Sequence, residues 1–193
     1  MLILASASPR RQELLRNAGV DFVVQPSQIP EVPLPAEKPE VFAERIAQEK
    51  ARTVYQRNRG EYVLSADTVV IVDEHILNKP EDALDAARML RMLSGRAHLV
   101  TTAVCLIGPD SNRPQRFFEH VRCETTRVTF NSLTHADIEA YIATGEPMDK
   151  AGAYGIQGLA SRWIPRIEGD YFNVVGLPVA LVYHMLREHG VVR

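Results

Sequence analysis

The sequence predicts one globular domain in which helices and strands are mixed. The 193 residues suit a single domain, and 46% of them are apolar, which is enough for a substantial core. Apolar runs typical of buried strands are interspersed with segments whose apolar residues recur at the helical period. No internal repeat, low-complexity tract or shift of composition divides the sequence, so we expect this domain to span residues 1–193.

Charge and cysteine content limit the classes of function. The formal net charge of −2 provides no broad basic surface for nucleic acid, so an anionic partner should be small. The first residues lack the apolar core of a signal peptide, and no apolar run approaches membrane-spanning length, which predicts a cytoplasmic protein without a membrane partner. Cys105 and Cys123 lie in strand-like apolar surroundings, which predicts reduced core residues and no cysteine metal site.

A buried strand followed directly by a helix is predicted at the start of the chain. Residues 1–5 form a short apolar run, and residues 9–18 carry an apolar stripe of helical period. Ser8 is well placed as the N-cap, Pro9 suits the first helical position, and Gly19 suits the position just past the end.

Arg10 and Arg11 conflict with the field of this helix. Both lie in its first turn, where the helix dipole disfavours an exposed cation by up to about 1 kcal/mol. One interpretation is a bound phosphate, held by free N–H groups, the Ser8 hydroxyl and both guanidinium groups. The other is a pair of surface arginines whose heads reach water or nearby carboxylates. These residues alone leave both interpretations open.

A second strand, a loop and a long helix follow. Residues 21–25 are typical of a strand, and the prolines of residues 26–35 predict a surface loop in which Glu31 is solvated. Residues 39–58 predict a helix, and Lys50 falls on its apolar face. The Lys50 ammonium either snorkels past the rim of the core or points into a pocket that holds negative charge.

Asp67 is the most informative residue of the sequence. It lies in the middle of residues 62–72, which are apolar on both faces and predict a central strand covered on both sides. A lone buried carboxylate is unfavourable there unless it is paired or binds a metal. A structural salt bridge would explain Asp67, but a catalytic or metal-binding carboxylate is the preferred interpretation. Thr68 should point to the opposite face of the strand.

The elements after this strand are predicted in less detail. Lys79 follows a short return strand at 75–77 and precedes a proline, so it is held in extended geometry, or it is a solvated loop lysine. The remaining predictions are a helix at 82–93, strands at 98–107 and 117–130 with an exposed turn at 108–114, a helix that Thr134 caps, a strand at 163–167, a loop at 169–176 and a helix at 179–189.

Residues 149–158 form a glycine-rich segment, Asp-Lys-Ala-Gly-Ala-Tyr-Gly-Ile-Gln-Gly. Such a segment favours close approach of the backbone to a ligand, or it is an irregular loop. It does not match a phosphate-binding Walker motif or a dinucleotide-binding motif. Gln157 offers both a donor and an acceptor, so it could recognise the edge of a uracil-type base.

The charged residues that conflict with their local surroundings form a coherent set. Four cations, Arg10, Arg11, Lys50 and Lys79, accompany Asp67, a carboxylate in the core of a strand. Together they predict a pocket for a polyphosphate, with a carboxylate that binds a divalent metal or activates water. This set suits hydrolysis of a phosphoanhydride, and no pattern of residues supports a covalent intermediate.

Five separated motifs resemble the Maf family of nucleoside triphosphate pyrophosphatases. They are Ser-Ala-Ser-Pro-Arg-Arg at 6–11, Ala-Asp-Thr at 66–68, Lys-Pro at 79–80, the glycine-rich segment at 149–158 and Val-Val-Gly-Leu-Pro at 174–178. The resemblance implies an α/β fold with a mixed twisted sheet, flanking helices and two lobes around a cleft, similar to the inosine triphosphatase (Ham1) group. It also implies hydrolysis between the α and β phosphates with Mg or Mn as the divalent metal cation. The Ile-Gln-Gly at 156–158 is similar to the branch associated with dTTP and UTP.

The resemblance also implies roles for individual residues. Asp67 matches the proton acceptor for the attacking water, and the implied catalytic residues are Asp67, Lys50 and Lys79. The implied substrate-binding residues are Ser8, Arg10, Arg11, Glu31, Thr68 and Gln157, of which Arg10, Thr68 and Gln157 match positions linked to substrate choice. The implied metal ligands are Asp67 and Glu31. Asp170 departs from the serine of many relatives.

The resemblance implies further expectations about partners. Relatives suggest a homodimer that acts on a nucleoside triphosphate and removes unwanted triphosphates from the nucleotide pool. The family is also associated with arrest of cell division, so a nucleotide-binding regulator that acts through protein contacts is the alternative. The complete set of cations together with Asp67 argues against a pure binder, because binding needs no general base.

Overall fold

The structure is a computed structural model that describes residues 1–110 and 113–192. Its strands are β1 (Leu2–Leu4), β2 (Val23–Val24), β3 (Tyr62–Val72), β4 (His75–Leu77), β5 (Ala97–Asp110), β6 (Arg113–Thr129) and β7 (Arg166–Glu168). Its helices are α1 (Pro9–Asn17), α2 (Pro39–Tyr55), α3 (Ala83–Leu93), α4 (His135–Ala143), α5 (Tyr171–Val175) and α6 (Val179–Glu188). Short 3-10 turns lie at Glu146–Asp149, Ala151–Ala153 and Leu159–Trp163.

The strands of the described residues form one mixed sheet in the order β2-β1-β3-β5-β6-β7, with β4 paired to β3. β1 runs parallel to β2 and β3, whereas β3, β5, β6 and β7 are antiparallel to their neighbours. Helix α2 packs on one face, and α1, α3, α4 and α6 pack on the other. The predicted mixed sheet with flanking helices is confirmed. No helix in the described part of the chain has the length and apolarity needed to cross a membrane.

The second face of the sheet carries two apolar clusters that form two lobes. One cluster packs α1 and α6 against Leu64 and Ala66 of β3. The other packs α3 and α4 against Val70 and Val72 of the same strand. Because alternate residues of a strand share a face, Thr68 lies on this face between the two clusters. The predicted cleft between two lobes therefore crosses β3 at Thr68.

β3 also has an open stretch of edge. β1 pairs only with Tyr62–Leu64 and β4 only with Val70–Val72, whereas β5 pairs with the opposite edge from Val63 to Ile71. β1 ends early because the chain turns away at Ser8, which caps α1 as predicted by accepting a hydrogen bond from the Arg11 N–H. Within the described residues, positions 65–69 thus face a gap in the sheet, and Asp67 lies at its centre.

Several local predictions are confirmed. Thr134 and Asp137 form the predicted capping box of α4. The turn between β3 and β4 is tight, with Asp73 and Glu74 both at positive φ. The strand predicted at 62–72 has the same bounds in the structure, whereas α2 ends at Tyr55 and β2 contains only two residues.

Other local predictions are wrong. The strand predicted at 163–167 is only Arg166–Glu168, because the Trp163 ring packs on Tyr141 at the end of a 3-10 turn. The loop predicted at 169–176 contains α5, because Asp170 caps this short helix by accepting from the N–H groups of the two residues beyond Tyr171. The turn predicted at 108–114 includes residues 111 and 112, which lie outside the described residues.

The two cysteines differ in environment, so the prediction of two core residues is wrong for one of them. Cys105 is buried under α2, whereas Cys123 is exposed. Cys123 lies 3.3 Å from the carboxylate of Glu44, so the polar flank of α2 faces it instead of the apolar stripe.

Candidate active site

The gap in the sheet opens into a cleft of about 630 Å³ between the two lobes. Residues from the end of β1, the start of α1, the middle of β3 and the segment after α4 line it. The site residues predicted from the sequence all line this cleft: Ser8, Arg10, Arg11, Glu31, Lys50, Asp67, Thr68, Lys79 and Gln157. Residues far apart in the sequence therefore meet where the edge of β3 is open.

Arg11 is fixed by hydrogen bonds from most of its donors. Its Nε donates to the backbone oxygen of Gly176 at 2.8 Å, and its Nη1 donates to the backbone oxygen of Ala66 at 2.8 Å. Nη1 also donates to Ser6 Oγ at 3.3 Å, and Nη2 donates to Thr68 Oγ1 at 3.0 Å. The guanidinium thus occupies the gap beside β3 and satisfies a carbonyl oxygen that no neighbouring strand reaches. Burial lowers the pKa of Arg11, although a guanidinium remains charged at pH 7.

Arg10 lies one residue earlier but reaches the other side of the cleft. Its Nη1 donates to Asp149 Oδ2 at 3.2 Å, and Asp149 is exposed. This ion pair connects α1 to the segment after α4. Of the two interpretations of the arginine pair, the one with nearby carboxylates therefore applies to Arg10. Arg11 is half-buried, and backbone oxygens and hydroxyls surround its guanidinium.

Lys50 joins two carboxylates on the opposite face of β3. Its Nζ lies 2.8 Å from Asp67 Oδ1 and 2.8 Å from Glu31 Oε1. The side chains of Lys50 and Asp67 are less than a tenth exposed, so Lys50 does not snorkel into water but points into the negatively charged pocket. Glu31 is half-exposed and ion-paired, so the expectation that it is only solvated is wrong.

Asp67 combines a salt bridge with a position in the cleft. Burial raises the pKa of its carboxyl group above the ordinary value, although the nearby charges of Lys50 and Arg11 act to lower it. Lys50 donates to Oδ1, and no described side chain donates to Oδ2. The structural salt bridge considered from the sequence is present, and the same carboxylate is available on its other oxygen to a molecule in the cleft.

Thr68 lies on the opposite face of β3 from Asp67, as predicted, and belongs to a buried polar network. Its hydroxyl accepts from Arg11 and lies 2.9 Å from the hydroxyl of Thr102. Thr102 donates to the backbone oxygen of Asn173, and Asn173 Nδ2 donates to the backbone oxygen of Val100 at 2.9 Å. These contacts attach α5 to the sheet and hold the Thr68 hydroxyl beneath the Arg11 guanidinium.

Lys79 and Gln157 lie at the rim of the cleft and are exposed. Neither has an ion pair or a side-chain hydrogen bond with the described residues. Lys79 follows β4, so its position depends on the turn that returns the chain from β3. Both side chains are therefore free to contact a bound molecule.

The glycine-rich segment folds into 3-10 turns that pack against the protein itself. A Cβ at Gly158 would clash with the carboxylate of Glu146, and a Cβ at Gly152 would lie 2.9 Å from Val70. Glu146 accepts from the hydroxyl of Tyr141 at 2.8 Å and from the N–H of Leu159 at 3.1 Å. Of the two interpretations, close approach to a ligand and an irregular loop, these two glycines fit the irregular loop.

Sequence reasoning missed several polar residues that line the same cleft, namely Glu146, Asp149, Lys150 and Tyr154. Lys150 Nζ donates to Asp149 Oδ1 at 2.6 Å and to the backbone oxygen of Glu146 at 2.7 Å. Tyr154 is buried, and its hydroxyl lies 2.8 Å from Nε2 of His98. The signal for Asp149 and Lys150 is their position as charged residues at the start of the glycine-rich segment.

Asp67 and Glu31 are suitable ligands for a hard divalent cation. Their carboxylates converge on one cation, the Lys50 ammonium, at 2.8 Å each. Mg²⁺ is commonly held by one or two carboxylates together with substrate phosphates and waters. No group of three or more His, Cys, Asp or Glu residues in the described part of the chain could form an all-protein metal cage, so substrate oxygens would have to complete the coordination.

Comparisons with known proteins agree over nearly the whole chain. The family model described as "Maf-like protein" matches residues 1–189. The dTTP/UTP pyrophosphatase of Koribacter versatilis is 57% identical over 190 residues, which cover 98% of this chain and 95% of that protein. The dTTP/UTP pyrophosphatase of Syntrophomonas wolfei is 48% identical over 187 residues, which cover 97% and 96%. A solved nucleoside-triphosphatase / dITP/XTP pyrophosphatase of Mycobacterium abscessus aligns with 97% of this chain and 96% of its own at 19% identity, with a TM-score of 0.48. The chain belongs to the Maf family.

Proposed function

We propose that the protein hydrolyses nucleoside triphosphates, with dTTP and UTP as preferred substrates, to the nucleoside monophosphate and pyrophosphate. The observation that carries this proposal is Asp67, a buried carboxylate with a raised pKa in a cleft lined by five cations. The relatives of this chain that are named dTTP/UTP pyrophosphatase support dTTP and UTP as the proposed substrates. The cleft contains no cysteine and no serine paired with histidine among the described residues, so water is the proposed nucleophile.

The triphosphate binds at the beginning of α1. The first turn of this helix offers N–H groups and the positive end of the helix dipole, and the Ser8 hydroxyl lies beside them. Arg10 and Lys79 approach from the rim, while Lys50 lies inside the cleft. The negative charge of the triphosphate thus resolves the conflict of two arginines at a helix N-terminus.

Asp67 acts as the general base. With Oδ1 paired to Lys50, its Oδ2 takes a proton from the water that attacks the phosphoanhydride. Burial raises the pKa of the carboxyl group, which makes it a stronger base than an exposed aspartate. The Lys50 ammonium fixes the orientation of the carboxylate and adds positive charge where negative charge develops on the phosphate.

Asp67 and Glu31 would hold the divalent cation, Mg or Mn. When bound, this cation supplies positive charge that stabilises the phosphate oxygens during hydrolysis. Glu31 lies on a loop and is half-exposed, so it can adjust to a cation while Asp67 remains fixed in β3. The amide of Gln157 contacts the base, and Arg10 and Thr68, which line the same cleft, contribute to substrate choice.

The proposal is tested by measuring products from a panel of nucleoside triphosphates in the presence of Mg²⁺ or Mn²⁺. We expect pyrophosphate and the monophosphate to form, fastest from dTTP and UTP. Release of orthophosphate and a diphosphate would overturn the assigned bond. Faster turnover of purine triphosphates would overturn the assignment of the base. A protein that binds dTTP without releasing any product would instead support the alternative of a nucleotide-binding regulator.

A further inference from the structure

Asp149 is a charged residue of the cleft to which the proposed function gives no role. It is the last residue of the 3-10 turn Glu146–Asp149 and lies at the mouth of the cleft. Its Oδ2 lies 3.2 Å from Arg10 Nη1, and its Oδ1 lies 2.6 Å from Lys150 Nζ. A carboxylate in a cleft for a polyanion opposes binding, so its position there needs an explanation.

Asp149 is held in place beside Arg10. Lys150 is mostly buried and also donates to the backbone oxygen of Glu146 at 2.7 Å, so its ammonium is fixed within the turn. Partial burial acts to raise the pKa of Asp149, but Lys150 and Arg10 outweigh it and place the pKa below the ordinary value. The Asp149 carboxylate is therefore ionised at neutral pH.

Arg10 has no other ion pair with the described residues, in contrast to the multiply bonded Arg11. Its guanidinium lies at the mouth of the cleft, where a phosphate would contact it from the same side as Asp149. Two anions that bind the same guanidinium compete, because each weakens the net attraction felt by the other.

We propose that Asp149 is an intramolecular competitor for the Arg10 guanidinium, which lowers the affinity of the cleft for phosphate chains and speeds the release of pyrophosphate. This inference rests on the proposed function, because it requires that the cleft bind a phosphate chain. Pyrophosphate carries no base to anchor it at Gln157, so its retention depends on the cations of the cleft. When Asp149 binds Arg10 again, the product loses one of these cations.

The test measures the binding of inorganic pyrophosphate by isothermal titration calorimetry in the presence of MgCl₂. We expect Asp149→Asn to bind pyrophosphate about two- to fivefold more tightly than the unaltered protein, because an exposed ion pair that competes for Arg10 is removed. Structural damage would weaken binding, so a gain of affinity separates competition from damage. Glu139→Gln removes the same charge from the exposed surface of α4 and should leave the affinity unchanged.

A second pair of variants tests whether the effect acts through Arg10. In an Arg10→Gln background, Asp149→Asn should no longer tighten the binding of pyrophosphate, because the guanidinium for which Asp149 and pyrophosphate compete is absent. Equal tightening with and without Arg10 would overturn the inference in favour of a general charge effect. Weaker binding by Asp149→Asn in the unaltered background would overturn it too, because Asp149 would then orient Arg10 for the ligand.

The outcome is separable from that of the proposed function. If pyrophosphate binding responds to Asp149→Asn as expected but no triphosphate is hydrolysed, the competition stands and the proposed reaction fails. If triphosphates are hydrolysed as proposed but the affinity for pyrophosphate is the same in both proteins, the competition fails alone. A faster release of pyrophosphate from the unaltered protein than from Asp149→Asn, measured by stopped flow, would support the kinetic part of the inference.

Discussion

The two sides of the cleft differ in how firmly the protein holds their charged groups. On the side formed by the sheet, which we call the sheet side, the charged and polar residues are Ser6, Arg11, Lys50, Asp67 and Thr68. On the side formed by loops, which we call the loop side, they include Glu31, Lys79, Asp149 and Gln157. The side chains of Lys50 and Asp67 are 9% and 8% exposed, whereas those of Glu31 and Asp149 are 51% and 67% exposed.

This difference separates the proposed chemistry from the proposed recognition. The sheet side is fixed by hydrogen bonds to backbone oxygens of β3 and to the residues after α5, so its groups need little reorganisation during a reaction. The loop side has more exposed groups, and Lys79 and Gln157 in particular can move to meet a ligand or leave it. Substitutions on the sheet side should therefore affect turnover and stability, and those on the loop side should affect affinity.

Asp67→Asn should have the largest effect, because it removes the proposed base from the sheet side. We expect kcat/KM for dTTP to fall about 10²- to 10⁴-fold, while the circular dichroism spectrum is retained. Near-normal turnover by this variant would show that Asp67 is not the general base. It would also contradict the assignment of the chemistry to the sheet side.

The pH dependence gives an independent readout of the same residue. A general base must be ionised, so kcat/KM should rise with pH through the pKa of Asp67, and we call this rise the acid limb of the pH profile. Because burial raises the pKa of Asp67, the acid limb should lie at higher pH than for an ordinary aspartate. The residual activity of Asp67→Asn should lack this limb. A limb that persists in the variant would assign the titration to another group.

Arg11→Met and Arg10→Met form a matched pair for stability. Arg11→Met leaves the backbone oxygen of Ala66 without its side-chain donor and leaves that of Gly176 only the longer bond from Thr68 Oγ1, so we expect the free energy of unfolding to fall by about 2–4 kcal/mol. Arg10→Met removes one exposed ion pair, so the loss should stay within about 1 kcal/mol. Urea denaturation measures both values, and equal losses would show that the two arginines are held alike.

The parts of the site that were predictable from the sequence are those with a local signature. Asp67 was identified because a carboxylate inside an apolar strand is unfavourable without a partner. Lys50 was identified because it falls on the apolar stripe of α2, and Ser8 because it precedes a proline at a helix start. For Asp67 and Lys50, the neighbouring residues alone show that a charge lies in apolar surroundings. For Ser8, the neighbouring residues alone show that it caps a helix.

The parts that were not predictable depend on long-range contacts. Arg11 bonds to a residue 165 positions away, and Arg10 to one 139 positions away, and both contacts follow from the order of strands in the sheet. Local patterns could not place Asp149 opposite Arg10 for this reason. Helix α5 was missed because a five-residue helix has no apolar period, and only its cap at Asp170 signals it.

Lys79→Gln should lower kcat/KM much less than Asp67→Asn does, and its effect should differ in kind from that of Lys50→Gln. Lys79 is exposed at the rim, so we expect the KM for dTTP to rise about tenfold with kcat and the thermal midpoint retained. Added salt should raise the KM of the unaltered protein more steeply than that of Lys79→Gln. The variant lacks the charged contact between Lys79 and the phosphate chain that salt would screen.

Lys50→Gln provides the contrast on the sheet side, because the Lys50 charge lowers the pKa of Asp67 against the effect of burial. Its removal should raise that pKa further and shift the acid limb of kcat/KM to higher pH. Lys79→Gln should leave the limb in place, since Lys79 forms no ion pair with the described residues. If both variants shift the limb equally, the two lysines act on the same carboxylate and the loop side takes part in the chemistry.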